Sequence, residues 1–360
     1  MDAGGPYGGP STGATGRGAE GIGVHRPRVV VGSLGGTITM TPPTAGGGGV
    51  VPSLDAAGLL RAVPELGEVA ELEAHTLRTE PGAWLLPTDV VAVGEWAGRQ
   101  AADAAGVVVV QGTDTIEETA YLLDLYWDRP EPLVVTGAMR AARAPGADGP
   151  ANLLAATVVA GSPASRDRGA LVVLNDDVHD ATRVRKGDAI AVHTFSSAPF
   201  GPVGRVHEGR VTYAGRSARW PALPAPMAGR VPRVALLETH LGDVGELLGL
   251  VVDAGYDGVV LAGFGAGHVS AALAEVVSVA VQRCPVVLAT RTGGGPVLGG
   301  TYGFVGSEQD LLARGVVPAG WLHPRKARLL LWSLLAAGAT ADVVRATVTA
   351  RGAAPGGPPG

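Results

Sequence analysis

Two threonines, each placed after glycine near the end of an apolar run, are the residues of this chain best suited to chemistry. Gly112-Thr113-Asp114-Thr115 follows Val107 to Val110, an unbroken β-branched stretch of the kind buried on both faces of a parallel sheet. Thr115 with Glu118 fits a Thr-x-x-Glu capping box, and Ile116, Ala120, Leu123 and Trp127 recur at helical spacing. Thr113 and Asp114 are therefore expected where a central strand hands over to a helix. Helix amides and the helix dipole favour negative charge there, so a hydroxyl gaining alkoxide character, or the anion its attack creates, would be stabilised.

A second segment has the same form. Arg28 to Gly32 reads as a short apolar strand and runs into Ser33-Leu34-Gly35-Gly36-Thr37-Ile38. Paired glycines accept positive φ and let the backbone approach a ligand, which leaves Thr37 unobstructed in a cleft. By turn chemistry alone, this segment fits a tight connection or a phosphate loop as well as a nucleophile site. The GxGxxG spacing of a dinucleotide fingerprint is missing. Each residue also has a plain structural reading. Thr113 can serve a helix terminus, Asp114 can be a simple N-cap, and Lys186 can be a solvated surface charge. His179, His193, His240 and His268 lack metal-ligand spacing, so no metal is expected.

Taken together, GSLGGTITM, VVVVQGTDTIEETAYLLDL and VVTGAMRAARAPGADGPANLLAA resemble the bacterial-type L-asparaginase family, which includes the asparaginase/glutaminases. The signature threonines, Gly-Ala-Met-Arg, Asp148-Gly149-Pro150 and Asn152-Leu153 stand in the family's order. The segments VLNDDVHDATRVRKGDAIAVHTFSSAPFGPVGRV, VDAGYDGVVLAGFGAGHV and LHPRKARLLL continue the resemblance, which runs from Val29 to Thr349.

The resemblance implies an amidohydrolase that converts L-asparagine to L-aspartate and ammonia through a threonine acyl-enzyme, with minor glutaminase activity and no cofactor. It implies Thr37 as the primary nucleophile and Thr113, Asp114 and Lys186 as a second constellation. Lys186 would lower the proton affinity of Thr113 or take its proton, as in a Ser-Lys pair, if desolvated or held near another cation such as Arg183 or Arg185. Asp114 would bind the substrate's α-ammonium, and the amides after Gly36 and Gly112 would form the oxyanion hole. A dimer of dimers is also implied, with Glu308 and Asp243 reaching a neighbouring subunit's substrate.

The chain departs from the family's pattern at three places. No tyrosine lies between Thr37 and Tyr121, although many members activate the first threonine with one. That departure motivates an alternative: a catalytically weak amino-acid sensor. Thr79-Glu80-Pro81-Gly82-Ala83-Trp84 stands where the family offers Ser followed by Gln or Asp, so Thr79 or the backbone of Gly82 and Ala83 would hold the substrate carboxylate. Gln111 replaces a common histidine and keeps a donor and an acceptor.

These residues need a scaffold, and the chain alternates apolar strands with amphipathic helices. Strands near Val29, Val107, Leu133 and Leu171 and helices near Val90, Thr115 and Asn152 predict an α/β fold with a parallel sheet and right-handed crossovers. The larger domain is expected over 26–212 and a proline-rich linker over 213–233. A smaller α/β domain follows over 234–351, with strands at Val234 to Glu238, Gly258 to Ala262 and Val286 to Ala289. A Gly-rich extension over 1–25 and a Gly/Pro tail over 352–360 flank them. The loop from Thr39 to Val50 suits a lid.

With 360 residues and 46% hydrophobic content, two cores are expected, packed by Val, Leu and Ala because only 4% of the chain is aromatic. A net charge of −5 argues against nucleic acid as a partner. Cys284 stands alone, and the absence of a signal-like start or a 20-residue apolar run makes the cytoplasm the expected compartment. Trp321, Leu329, Leu330, Trp332 and Leu334 are apolar material for either a subunit interface or a core.

Overall fold

The computed structural model describes Met1 and residues 26–41, 51–52, 54–215 and 219–353. The expected extension, most of the expected lid and all but the start of the tail lie outside these residues.

Strand β1 (Arg28–Ser33) is followed by a small ladder of β2 (Met40–Thr41) with β3 (Val51–Pro52). Next come β4 (Glu71–Thr76), β5 (Gly106–Val110), β6 (Leu133–Thr136) and β7 (Ala170–Leu174), which join β1 in parallel order β4-β1-β5-β6-β7. Between the strands run α1 (Ala56–Arg61), α2 (Leu66–Val69), α3 (Pro87–Ala101), α4 (Ile116–Tyr126) and α5 (Gly149–Gly161). The period of two decides which layer each side chain joins. Val107 and Val109 pack with α3 and α4, whereas Val108 and Val110 pack with α1, α2 and α5. Both faces of β5 are thus covered, and its residues are fully buried.

The sheet is parallel as expected over these five strands and reverses at one edge. Strands β8 (Asp177–Asp180), β11 (Gly204–His207) and β12 (Arg210–Tyr213) add antiparallel, while β9 (Arg185–Lys186) and β10 (Phe195–Ser196) pair separately. The cause is turn chemistry. Asn175 and Asp176 both hold positive φ (53° and 62°) between β7 and β8, and Glu208 and Gly209 (47° and 69°) do so between β11 and β12. Two such residues in a two-residue loop make the tight turn that reverses a strand. Tyr213, where the sequence places the start of the linker, still belongs to β12, and its hydroxyl meets Ser165 Oγ at 2.7 Å.

The smaller unit has four parallel strands, β13 (Val234–Glu238), β14 (Gly258–Gly263), β15 (Val286–Thr290) and β16 (Val317–Pro318). With them run α6 (Glu246–Asp253), α7 (Ala271–Ala280), α8 (Glu308–Ala313), α9 (Pro324–Ala336) and α10 (Ala341–Arg351). Helices α6 and α7 cover one face of this sheet. The other face rests on α9, which packs in turn on α4 of the larger unit. One continuous core therefore includes Leu122, Leu125, Leu330, Leu331, Val260 and Val287.

The length allows one large core or two medium ones, with two the better fit to the pattern. Instead, one apolar cluster spans both units and two further clusters lie on the outer faces of the two sheets. Helix α9 is buried on every side from Leu329 to Ala336, so it can pack one face against each unit. Leu329, Leu330, Trp332 and Leu334 are core residues and unavailable to another subunit. Trp321 packs edge-on against Phe200, with centroids 5.1 Å apart. No described helix is long and apolar enough to cross a membrane.

Candidate active site

Thr37 and Thr113 each begin a short 3₁₀ turn, Thr37–Thr39 and Thr113–Thr115, just past the ends of β1 and β5. These strands are neighbours, with Ser33 opposite Val110, and the Leu34 amide donates to the Val110 carbonyl. The carboxyl ends of adjacent parallel strands are where open α/β sheets form their ligand crevices. Gly36 makes the meeting of the turns possible. Its φ is 91°, and a Cβ there would lie 2.1 Å from the Gly112 amide nitrogen.

A third turn, Gly82–Trp84, closes onto the same place. Gly82 packs on Gly112, and its carbonyl accepts a hydrogen bond from Thr115 Oγ1 at 3.1 Å. The capping box expected of Thr115 and Glu118 is therefore not formed. The helix starts at Ile116 with Thr115 as its N-cap, as that box requires, but the Thr115 hydroxyl takes tertiary partners instead of a helix amide. Gln111 Nε2 donates to that hydroxyl and to the Gly112 carbonyl, at 3.2 Å each, so this amide ties the turn together.

Lys186 arrives from β9. Its Nζ donates to Thr113 Oγ1 at 3.0 Å and to Asp114 Oδ1 at 2.9 Å. Thr113 is 5% exposed. The Lys186 side chain is 15% exposed and that of Asp114 67%, so the pair has a sheltered cation and an open carboxylate. A charged lysine in this position stabilises a Thr113 alkoxide, and a neutral one accepts the hydroxyl's proton. Asp114 keeps an accessible side for a ligand's cation.

Arg183 and Arg185, expected as helpers of Lys186, go elsewhere. The Arg183 guanidinium lies 4.7 Å from the Phe200 ring centroid, and Arg185 packs beside Gly293. Arg185 and Lys186 are adjacent on one strand, so their side chains take opposite faces.

The remaining expected residues divide. Gly36, Gly82 and Ala83 belong to the converging turns. Thr79 and Glu80 flank Gly35, and the Glu80 amide donates to the Leu34 carbonyl. Glu308 does not join them. Its side chain is fully buried in the smaller unit, where it accepts from the amides of Thr301 and Tyr302 and meets His268 Nε2. Burial opposes its ionisation, but those donors prevail and hold its carboxyl below the usual range. A carboxylate so enclosed organises its own loop and has no side left for a substrate. Asp243 similarly accepts from the Gly245 amide.

The signature residues Asp148 and Asn152 are structural. Asp148 accepts from the amides of Met139 and Arg140, and Asn152 donates to Asp148 and to the Gly137 carbonyl, which shapes the exit of β6. Sequence reasoning missed Glu117, whose carboxylate accepts from the Lys186 amide at 2.7 Å. The sequence carries no signal for it, since Glu117 stands beside Glu118 and shares α4 with Asp124. Among the described residues, no group of His, Cys, Asp and Glu is placed to hold a metal.

Comparison with known proteins agrees in extent with this two-unit arrangement. The family model described as Asparaginase, N-terminal, matches residues 28–219, and the Glutaminase/Asparaginase C-terminal domain model matches residues 233–347. The chain is 36% identical over 328 residues to the probable L-asparaginase of Deinococcus radiodurans, covering 90% of this chain and 97% of that protein. It is 32% identical over 325 residues to L-asparaginase 2 of Escherichia coli, covering 87% and 90%. To the probable periplasmic L-asparaginase of Haemophilus influenzae it is 33% identical over 317 residues, covering 85% and 87%.

Proposed function

Because the chain belongs to the asparaginase family, we propose that it hydrolyses L-asparagine to L-aspartate and ammonia through a threonine ester. The observation that carries this reading is the Lys186 ammonium bridging Thr113 Oγ1 and Asp114 Oδ1 beside the Gly36–Gly112 contact. Asp114 meets the substrate's α-ammonium and thereby orients the amino acid. Thr37 Oγ1 attacks the side-chain amide carbon, and the resulting oxyanion is held by the amides of Thr37 and Thr113. As the first residues of their turns, these amides have no partner within the turn. Ammonia leaves with a proton. Water then attacks the ester; Thr113, its hydroxyl polarised by Lys186, relays one of the water's protons to the departing Thr37 Oγ1, which releases aspartate and restores Thr37. In this reading the backbone of Gly82 and Ala83, on the third turn, receives the substrate carboxylate.

Glutamine is a minor substrate in this reading, since one methylene changes pocket affinity by only about 1–3 kcal/mol. We further propose a dimer of dimers. Leu241, Val244, Leu247 and Leu250 form exposed apolar material around the start of α6, and sedimentation of the purified chain checks it, a single monomer species overturning it.

The deciding experiment is ammonia release from L-asparagine and L-glutamine by wild type, Thr37→Ala and Thr113→Ala. Wild type is expected to turn over asparagine and each variant to lose on the order of 10²-fold or more. An inert wild type that L-aspartate still stabilises thermally would instead establish the amino-acid sensor that the missing lid tyrosine motivates.

A further inference from the structure

We infer that Lys326, at the head of α9, is a positioning residue for Lys186, its Nζ holding the backbone segment that delivers Lys186 to Thr113. The inference rests on the role given to Lys186 above. Lys326 is 1% exposed. Its Nζ donates to the carbonyls of Ala181 and Val184, at 2.7 Å each, and lies 5.7 Å from the centroid of the Tyr121 ring. Those two carbonyls belong to the turn that joins β8 to β9, and β9 is the two-residue strand that ends in Lys186.

The neighbouring residue on α9 grips the same segment from the other side. Arg325 Nε donates to Glu117 Oε1, and Glu117 Oε2 accepts the Lys186 amide at 2.7 Å. The Glu117 side chain is 4% exposed, so its carboxylate is sheltered although Arg325 is partly open to water. Arg325 and Lys326 thus hold residues 181–186 at two points, one through Glu117 and one directly. Strand β9 needs this support, since its own ladder with β10 is only two residues long. Without the grip, the distance from Nζ to Thr113 Oγ1 is left to a short and weakly paired strand.

Energetics favour a positional role over simple filling. Burying an ammonium is costly, and the burial pushes Lys326 down to about 7, with Glu117, Asp180 and Asp124 partly offsetting it. A Met or Leu would fill this volume without that cost. Neither would hold two carbonyls at fixed distance. A displacement of about 1 Å in a reacting group lowers rate on the order of 10²-fold, so the benefit appears in turnover.

The test compares Lys326→Met with Leu330→Ala, a core change on the same helix that leaves the grip intact, and with Lys326→Arg, which keeps donors and charge. Two readouts are taken: kcat and KM for L-asparagine, and hydrogen exchange of the amides in residues 181–187. Lys326→Met is expected to lower kcat tenfold or more with KM within threefold of wild type, and to speed exchange of the segment at least tenfold. Leu330→Ala is expected to leave both near wild type, and Lys326→Arg to recover most of the loss. Equal kcat and equal exchange in the Met and Leu330 variants would overturn the inference. Should Lys326→Met fail to fold, Lys326→Gln decides, because its shorter, uncharged side chain cannot hold both carbonyls, and unchanged kcat and exchange there overturn the inference equally. If wild type releases no ammonia, the exchange arm alone decides the grip, and the asparaginase reading fails separately.

Discussion

Asp114 and Lys186 form one ion pair with unequal exposure, and in the proposed mechanism the inequality divides their work. The sheltered lysine serves Thr113, whereas the open carboxylate is free to exchange its partner for a ligand's ammonium. Asp114→Asn keeps the shape and removes the charge. It is expected to raise KM for L-asparagine on the order of 10-fold or more, the effect of a lost hydrogen bond to a charged group, with a smaller change in kcat. A kcat loss at constant KM, measured by ammonia release, would assign Asp114 to the chemistry instead. At this scale the sequence was partly readable. Thr37, Thr113 and Asp114 announce themselves by what precedes and follows them locally. Lys186, 73 residues further on from Thr113, is joined to them only by the resemblance. Its true neighbours, Glu117 and Lys326, carry no local motif at all.

At the scale of elements, the site depends on three turns meeting at glycines. Gly36→Ala combines a positive φ with a Cβ driven into the Gly112 backbone. It is expected to separate the threonine turns, abolish ammonia release by 10²-fold or more, and lower stability by about 1–3 kcal/mol in urea unfolding. Retained activity would mean that the two turns act independently. The parallel strands were legible because β-branched runs bounded by glycine have few other uses. The antiparallel edge was legible in principle, since Asn-Asp and Glu-Gly sit between strands, but a rhythm of strand and helix obscured it. The capping box failed for a reason outside its own four residues: Thr115 found the Gly82 carbonyl, 33 positions away.

For the molecule as a whole, burial sets the response to acid. His179 is 1% exposed and held neutral, pushed down to about 4 by burial, with Ser197 Oγ 2.9 Å from its Nδ1. A histidine whose folded value is lowered binds protons more readily when unfolded. Its contribution is therefore complete above the ordinary value near 6.5 and is lost as pH falls toward 4, amounting to roughly 3 kcal/mol. His179→Gln is expected to flatten the fall in urea-measured stability between pH 6.5 and 4.5 relative to wild type, and an unchanged slope would remove His179 as a cause. What the sequence concealed at this scale was the continuity of the core. Helix α9 reads as part of the second unit by position, and only its nearly unbroken apolar run from Leu329 to Ala336 hints that it also belongs to the first.

That shared helix has a consequence for how such a chain can change over generations. A joint marked by prolines looks like a place where one half could be exchanged for a foreign one. Here the exchange would strip α4 of its cover and leave the segment bearing Lys186 without Arg325 and Lys326. The two halves are therefore heritable only as a pair, and substitutions along α9 have to be accommodated on both sides of the joint at once.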